Sequence, residues 1–157
     1  SPHLPILPIP SCPASWDEMQ AWFRRAIQTG QNLAIAYPPP PTESPTDIWQ
    51  HLVGIAKYLS RTGKMVTRAQ LSETLGIGDR PLQIGFRTLK RFGFEVTSSE
   101  EGVHFTWQPE PTLEYGEMAE AIAPFFSVVQ EEQFRRRYFY EVPLATIQAA
   151  AYQLIRT

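Results

Sequence analysis

"VTRAQLSETLGIGDRPLQIGFRTLKRFGFEV", residues 66–96, has the pattern of two short helices joined by a glycine-containing turn and followed by a strand. Thr67 and Gln70 have the spacing of a capping box, so the first helix is predicted to begin after Thr67. Asp79 is the expected N-cap of the second helix. Pro81 then lies in the first turn, where its missing N–H costs no hydrogen bond. This stretch predicts a helix-turn-helix motif.

The segments on either side extend this motif to a complete domain. Residues 47–60 have the apolar spacing of a helix, with Asp47 as its expected N-cap. "FEVTSS" (94–99) and "VHFTW" (103–107) flank a glutamate-rich turn and predict a two-stranded β-hairpin. The order helix, helix, turn, helix, hairpin is that of a winged helix. We assign the winged-helix domain to residues 47–108.

The remaining segments predict further helices and strands. Residues 1–37 have the pattern of a strand, a helix and a buried strand, and Ser15 and Glu18 form a second capping box at the helix start. Two strands joined by a helix predict a parallel β-α-β unit, which we expect to be the tail of a larger α/β sheet in a longer protein. Prolines predict a stiff linker at 38–46, and residues 109–157 predict a C-terminal helical segment. The predicted fold class is α+β.

Charge is strongly segregated along the chain. The net charge is only −2, but residues 57–91 contain eight Lys or Arg residues and two acidic residues. Residues 92–132 contain nine acidic residues and no Lys or Arg. A basic block is typical of a surface that binds phosphate groups, and an acidic block would repel the same ligand. We therefore expect any nucleic-acid contact to lie in the basic block.

The composition also restricts the class of protein. The chain has one cysteine, so it has no internal disulfide, which fits a reducing compartment. No apolar run approaches the roughly 18 residues that a membrane span needs. We expect a cytoplasmic protein.

Residue types that catalyse reactions or bind metals are sparse and scattered. His3, His51 and His104 lie far apart, with no carboxylate or cysteine at metal-ligand spacing. Cys12 has no basic neighbour that would activate it as a nucleophile. No glycine-rich run has the spacing of a phosphate-binding loop. We therefore expect no catalytic residue, no metal site and no cofactor within these 157 residues.

The third predicted helix of the winged-helix domain has a row of cations opposite its apolar face. With Leu82, Phe86 and Leu89 turned inward, the Arg and Gln side chains between them face outward. Recognition helices place such side chains in the major groove, where guanidinium groups reach phosphate or guanine and amides reach adenine. The candidate nucleic-acid-binding residues are Arg68, at the start of the preceding helix, and Arg80, Gln83, Arg87, Lys90 and Arg91.

Two features favour a different interpretation of this helix. Ile84 is expected on the outward side, where a polar side chain would read a base. The predicted hairpin tip, residues 98–102, is acidic and would repel phosphate. The alternatives are a solvated helix face that attracts Lys and Arg, or a winged helix that binds protein.

A second candidate patch lies at residues 133–143, "QFRRRYFYEVP". Its arginines would attract phosphate, and its rings would stack on unpaired bases. The alternative is a helix end whose arginines are solvated or paired with Glu131 and Glu132 while the rings pack inward. The candidate residues are Arg135, Arg136, Arg137, Tyr138 and Tyr140.

Three stretches of the chain resemble the C-terminal region of the RecJ exonucleases of cyanobacteria. They are residues 34–41 ("AIAYPPPP"), 49–94 ("WQHLVGIAKYLSRTGKMVTRAQLSETLGIGDRPLQIGFRTLKRFGF") and 131–148 ("EEQFRRRYFYEVPLATIQ"). The resemblance covers essentially the whole chain. RecJ belongs to the DHH phosphoesterase family. The resemblance therefore implies a parent hydrolase that degrades single-stranded DNA from the 5′ end, with a divalent metal (Mn or Mg), during DNA repair and recombination.

The family's catalytic residues, an aspartate-rich metal cluster with an Asp-His-His motif, have no counterpart in this sequence. The resemblance thus implies a non-catalytic accessory region. Its implied partners are single-stranded or duplex DNA, the single-stranded-DNA-binding protein, or the catalytic core of the parent enzyme. Two alternatives remain: a winged-helix transcription regulator that binds duplex DNA, and a winged-helix protein-interaction module.

Overall fold

The computed structural model describes residues 4–108 and 113–156, with side chains described through residue 154, and its fold is α+β. Within this part of the chain, no helix combines the length and the apolar character that crossing a bilayer requires. The elements in chain order are β1 (Ile6–Ile9), α1 (Trp16–Thr29), β2 (Asn32–Ile35), α2 (Pro45–Thr62), α3 (Arg68–Leu75), α4 (Asp79–Arg91), β3 (Phe94–Ser99), β4 (Gly102–Trp107), α5 (Tyr115–Glu141) and α6 (Leu144–Arg156).

The chain forms two compact units, each with its own apolar core. Unit 1 consists of residues 1–41 and 132–157, and unit 2 consists of residues 42–131. The sequence-based division treated residues 109–157 as one helical segment. In the structure, α5 contributes its first part to unit 2 and its last part to unit 1.

Unit 1 contains the parallel strand pair that the sequence predicts. β1 and β2 pair in register from Ile6 opposite Asn32 to Ile9 opposite Ile35. Strand β2 was expected to be buried, but its residues are half-buried or exposed. The reason is that this sheet has two strands within the described residues, so β2 has a neighbouring strand on one side only.

The start of α1 follows the capping pattern with one change. The Ser15 hydroxyl accepts a hydrogen bond from the Glu18 N–H (3.2 Å), as a helix N-cap does. The Glu18 carboxylate accepts from the N–H of Ala14 (2.8 Å) instead of the N–H of Ser15. The position of the helix start is therefore as predicted, whereas the reciprocal bond lies one residue earlier.

A buried hydrogen bond links the two chain segments of unit 1. The Tyr37 hydroxyl donates to the carbonyl oxygen of Phe139 at 2.8 Å. In a helix this carbonyl would accept from the N–H four residues later, but that residue is Pro143, which has none. Tyr37 therefore supplies the donor that the end of α5 lacks. Burial raises the pKa of Tyr37 to about 12, so the hydroxyl keeps its proton at neutral pH.

We expect Tyr37→Phe to lower the free energy of unfolding by about 1–3 kcal/mol, because it leaves a buried carbonyl without a donor. Urea denaturation followed by circular dichroism measures the change. Tyr140→Phe, which removes an exposed hydroxyl from the same unit, serves as the control and should change stability by less than about 0.5 kcal/mol. Equal effects of the two substitutions would contradict the role assigned to Tyr37.

Helix α2 begins earlier than the sequence-based assignment. Its N-cap is Ser44, whose hydroxyl accepts from the Asp47 N–H (3.1 Å), and Pro45 is the first helical residue. Asp47 was expected as the N-cap but lies in the first turn. Pro45 explains the difference, because proline is favoured at the first position of a helix and cannot donate a hydrogen bond. The predicted linker at 38–46 therefore extends only to Ser44.

The next two helices are joined as the sequence predicts, except at one cap. Thr67 and Gln70 form a complete capping box at the start of α3. Asp79 was expected to cap α4, but the N-cap is Gly78 and Asp79 is the first helical residue. The Asp79 carboxylate is not used as a cap because it binds Arg68.

The predicted hairpin is present in unit 2. β3 and β4 are antiparallel, from Phe94 opposite Trp107 to Ser99 opposite Gly102. Val66, just before α3, forms a bridge with Val103 of β4, with an N–O distance of 2.6 Å for the Val103 N–H. Residues preceding α3 are thereby attached to the hairpin.

Helices α2, α4 and α5 of unit 2 pack closely against one another at Gly85. A Cβ atom at this position would lie 2.8 Å from Leu52 Cδ2 and 3.0 Å from Phe125 Cε1. Both of these side chains are fully buried. Glycine at position 85 therefore permits a helix contact that any side chain would disturb.

Two glycines within helices provide a matched test of this contact. We expect Gly85→Ala to destabilise unit 2, because overpacking costs about 1–3 kcal/mol and exceeds the roughly 1 kcal/mol that alanine gains in a helix. Gly54→Ala, on α2, places a Cβ where no atom lies within 4 Å. It should stabilise the protein by up to about 1 kcal/mol. Thermal or urea unfolding measures the stability of both variants. A stabilising effect of Gly85→Ala would refute the close contact.

Candidate nucleic-acid interface

Helix α4 has a buried face and an opposite charged face. Successive residues of a helix are rotated by about 100°, so its buried residues occupy an arc of about 120°. Its exposed Arg, Lys and Gln residues occupy an arc of about 100° on the other side. The buried residues are Pro81, Leu82, Gly85, Thr88 and Leu89. The exposed Arg, Lys and Gln residues are the predicted Arg80, Gln83, Arg87, Lys90 and Arg91, and Asp79 in the first turn is also exposed.

The cations of this face are available to a ligand. Among the described residues, Arg80, Arg87, Lys90 and Arg91 form no salt bridge or side-chain hydrogen bond. From Arg80 to Arg91 the helix rises about 16 Å. The two cations of the last turn also interact favourably with the negative end of the helix dipole. We call the exposed surface of Arg80, Gln83, Arg87, Lys90 and Arg91 the α4 basic face.

Arg68, the sixth predicted residue, is occupied by intramolecular contacts. Its guanidinium donates to Asp79 Oδ1 (2.7 Å from Nη2 and 3.1 Å from Nε) and to Gln83 Oε1 (3.1 Å). It also lies over the Phe86 ring, with Cζ 5.4 Å from the ring centroid. The Asp79 carboxylate neutralises the charge of Arg68. Helical periodicity did not predict this network, although an acidic residue in the first turn of a helix is a signal that a nearby cation has a partner.

Ile84 and the acidic hairpin tip were the two features that favoured a solvated or protein-binding helix, and the structure confirms only the second of them. Ile84 was expected to face outward, but it is half-buried and packs against the core of unit 2. Its angular position is at the edge of the charged arc, which explains the difference. The hairpin tip is acidic as expected, since Glu100 and Glu101 form the turn and are exposed.

The second candidate patch, at the end of α5, is largely engaged in the packing of unit 1. Arg135 donates to the Ala14 carbonyl (2.9 Å), and Arg136 lies 3.4 Å from the buried Glu132 carboxylate. Tyr138 packs against Trp16, with ring centroids 5.7 Å apart. Arg137 and Tyr140 are the two members of the patch that are exposed.

Among residues 4–108 and 113–156, no group of three or more His, Cys, Asp or Glu side chains is placed to hold a metal ion. His3 lies outside the described residues. Burial raises the pKa of the Cys12 thiol to about 11, against a smaller opposing effect of Arg136. Cys12 is therefore a neutral thiol at physiological pH.

Asp79→Asn should strengthen binding of an anionic polymer to the α4 basic face. The substitution removes the charge that neutralises Arg68 and leaves an amide that still accepts its hydrogen bonds. We expect the slope of log K against log salt concentration for a DNA oligonucleotide to steepen by up to about 0.7–0.9, the value of one added phosphate contact. Fluorescence anisotropy at several salt concentrations measures the slope. Asp17→Asn, on α1 of unit 1, changes the net charge equally and should leave the slope unchanged; a shared slope change would contradict a specific role of Asp79.

No protein-family model, no curated protein and no solved structure matches the chain.

Proposed function

We propose that unit 2 is a winged-helix domain that binds DNA through the α4 basic face. The observation that carries this proposal is the row of four exposed cations without intramolecular partners among the described residues. The order of α2, α3, α4 and the hairpin matches that of a winged helix, in which the helix before the hairpin contacts the nucleic acid.

The proposed contact is with the phosphate backbone. The charge row extends for about 16 Å along α4, which corresponds to about five nucleotide steps of 3.4 Å along one strand of a duplex. Arginine and lysine at these positions neutralise phosphates and release counterions, so binding depends strongly on salt.

In this proposal the α4 basic face does not read the base sequence of the DNA. Gln83 carries the amide that is best suited to adenine, but bidentate pairing needs its oxygen as acceptor and its NH₂ group as donor. The oxygen already accepts a hydrogen bond from Arg68, so pairing with adenine would require the same oxygen to accept a second bond while Arg68 holds the amide. Ile84 is packed against the core. Binding without sequence specificity fits an accessory region of a nuclease better than a transcription regulator.

For the whole chain, we propose an accessory, non-catalytic C-terminal region of a RecJ-like 5′–3′ single-stranded-DNA exonuclease in repair and recombination. The resemblance of residues 49–94 and 131–148 to such enzymes supports this proposal. In this proposal the metal and the reaction belong to the catalytic core of the parent enzyme.

A protein partner is the second candidate function, and one observation favours it. The exposed hairpin turn carries Glu100 and Glu101, which oppose a second phosphate contact at the position where many winged helices make one. A basic partner protein would pair with these carboxylates.

The test compares Arg87→Ala/Arg91→Ala with Arg24→Ala/Arg25→Ala, which removes two exposed arginines from α1 of unit 1. We expect the first pair of substitutions to reduce the salt slope of DNA binding by about 1.4–1.8, the sum for two phosphate contacts. The control pair should leave the slope unchanged. Anisotropy titrations with single-stranded and duplex oligonucleotides of several sequences measure both effects.

Three results would change the conclusion. Undetectable or salt-independent binding would refute DNA binding by α4 and favour the protein partner. A strong preference for one duplex sequence would favour the transcription regulator. Equal slope changes for the two pairs would show that the arginines act only through net charge.

A further inference from the structure

A second surface of unit 2 combines an exposed indole with cations. Trp107, the last residue of β4, is 48% exposed, whereas the other three tryptophans of the chain are buried or half-buried. Its ring packs on one side against buried Phe94, with centroids 4.6 Å apart. Residue 93 is a glycine, and a Cβ atom added there would lie 3.3 Å from Cζ3 of Trp107. The inner side of the ring is therefore fixed by packing, and the outer side is exposed among the described residues.

A pocket lies between this ring and the C-terminal half of α2. Its volume is about 450 Å³, within the usual range of small-molecule sites. It is lined by Lys57, Ser60, Arg61, Phe94 and Trp107.

The charge of this pocket is positive. Lys57 and Arg61 are one helical turn apart on α2, and neither forms a salt bridge within the described residues. Helix α2 has no carboxylate after Asp47. Glu95, next to Phe94 on β3, belongs to the opposite face of the hairpin because successive strand residues alternate. The pocket thus joins an apolar ring surface to two cations that are available to bind an anion.

We propose that this pocket binds one unpaired nucleotide of a single DNA or RNA strand. The base stacks on the outer side of the Trp107 indole, and Lys57 and Arg61 bind its phosphate groups. Such pairing of an aromatic platform with cations is the usual way in which proteins hold single strands without reading sequence.

Ser60 adds a hydrogen-bonding atom to the pocket. Its hydroxyl proton is donated to the Ala56 carbonyl at 2.7 Å. The lone pairs of its oxygen consequently remain as acceptors for an amino or imino N–H of the base. Every common base has such a donor, so this atom adds affinity without a strong preference.

This inference goes beyond the proposed role of α4 and does not depend on it. A duplex conceals the faces of its bases within the stack, so the Trp107 pocket selects unpaired nucleotides, whereas the α4 basic face binds phosphates of either form. The two surfaces are close along the chain, since Phe94 of the pocket follows Arg91 by three residues.

The experiment compares hexathymidylate with an abasic oligonucleotide that has the same number of phosphates. Wild-type protein should bind hexathymidylate roughly 5- to 150-fold more tightly, the effect of stacking one base, with quenching of tryptophan fluorescence. Trp107→Leu keeps an apolar side chain over Gly93 but has no ring, and it should abolish both the difference and the quenching. Lys57→Gln/Arg61→Gln should weaken the binding of both oligonucleotides and reduce the slope of log K against log salt concentration. Thermal melts by circular dichroism check that each variant is folded.

The outcomes separate this inference from the role of α4. The same titrations on Arg87→Ala/Arg91→Ala should retain the preference for hexathymidylate, even if α4 binds no DNA. Equal binding of the two oligonucleotides by wild type, or an unchanged preference in folded Trp107→Leu, would overturn the proposal. Trp107→Tyr, which restores a ring, should recover most of the preference, and failure to do so would also overturn it.

Discussion

The close packing around Gly85 is the constraint on which the proposed interface depends. Because Leu52 and Phe125 contact α4 at this glycine, the helix can present only one side to the core. The opposite side, with Arg80 and Arg87, must then face solvent. The display of charge on α4 is thus a direct result of how tightly its other side is packed, and the charged surface cannot be moved without rebuilding the core.

Local signals of the sequence predicted much of the fold. The capping box of Thr67 and Gln70 and the alternation of β3 and β4 depend on residues that are neighbours in sequence, so they could be recognised without tertiary information. The start of α2 was predicted wrongly because Ser44 and Asp47 are both good caps, and the preference of Pro45 for the first helical position was not considered. Helical periodicity also predicted which side chains of α4 are exposed, whereas their contact with nucleic acid stays a prediction.

Features formed by distant residues were not predictable in this way. The contact between Arg68 and Asp79 depends on the angle at which α3 meets α4, and the pocket at Trp107 exists only after α2 has packed against the hairpin. Arg135 also appeared to be a binding residue by composition, but a carbonyl of the chain's first segment accepts its hydrogen bond. Charge and ring content identify candidate residues, whereas tertiary packing decides which of them remain accessible.

The discontinuity of unit 1 has a consequence for biosynthesis. All of unit 2 is translated between the two segments that form unit 1. While the ribosome makes unit 2, Ile9 and Met19 must wait for Phe139 and Ile147, the partners with which they form a core. Unit 2 can complete its folding on the nascent chain, whereas the core of unit 1 can form only after its second segment has been translated, so a chain that terminates within unit 2 lacks one half of that core.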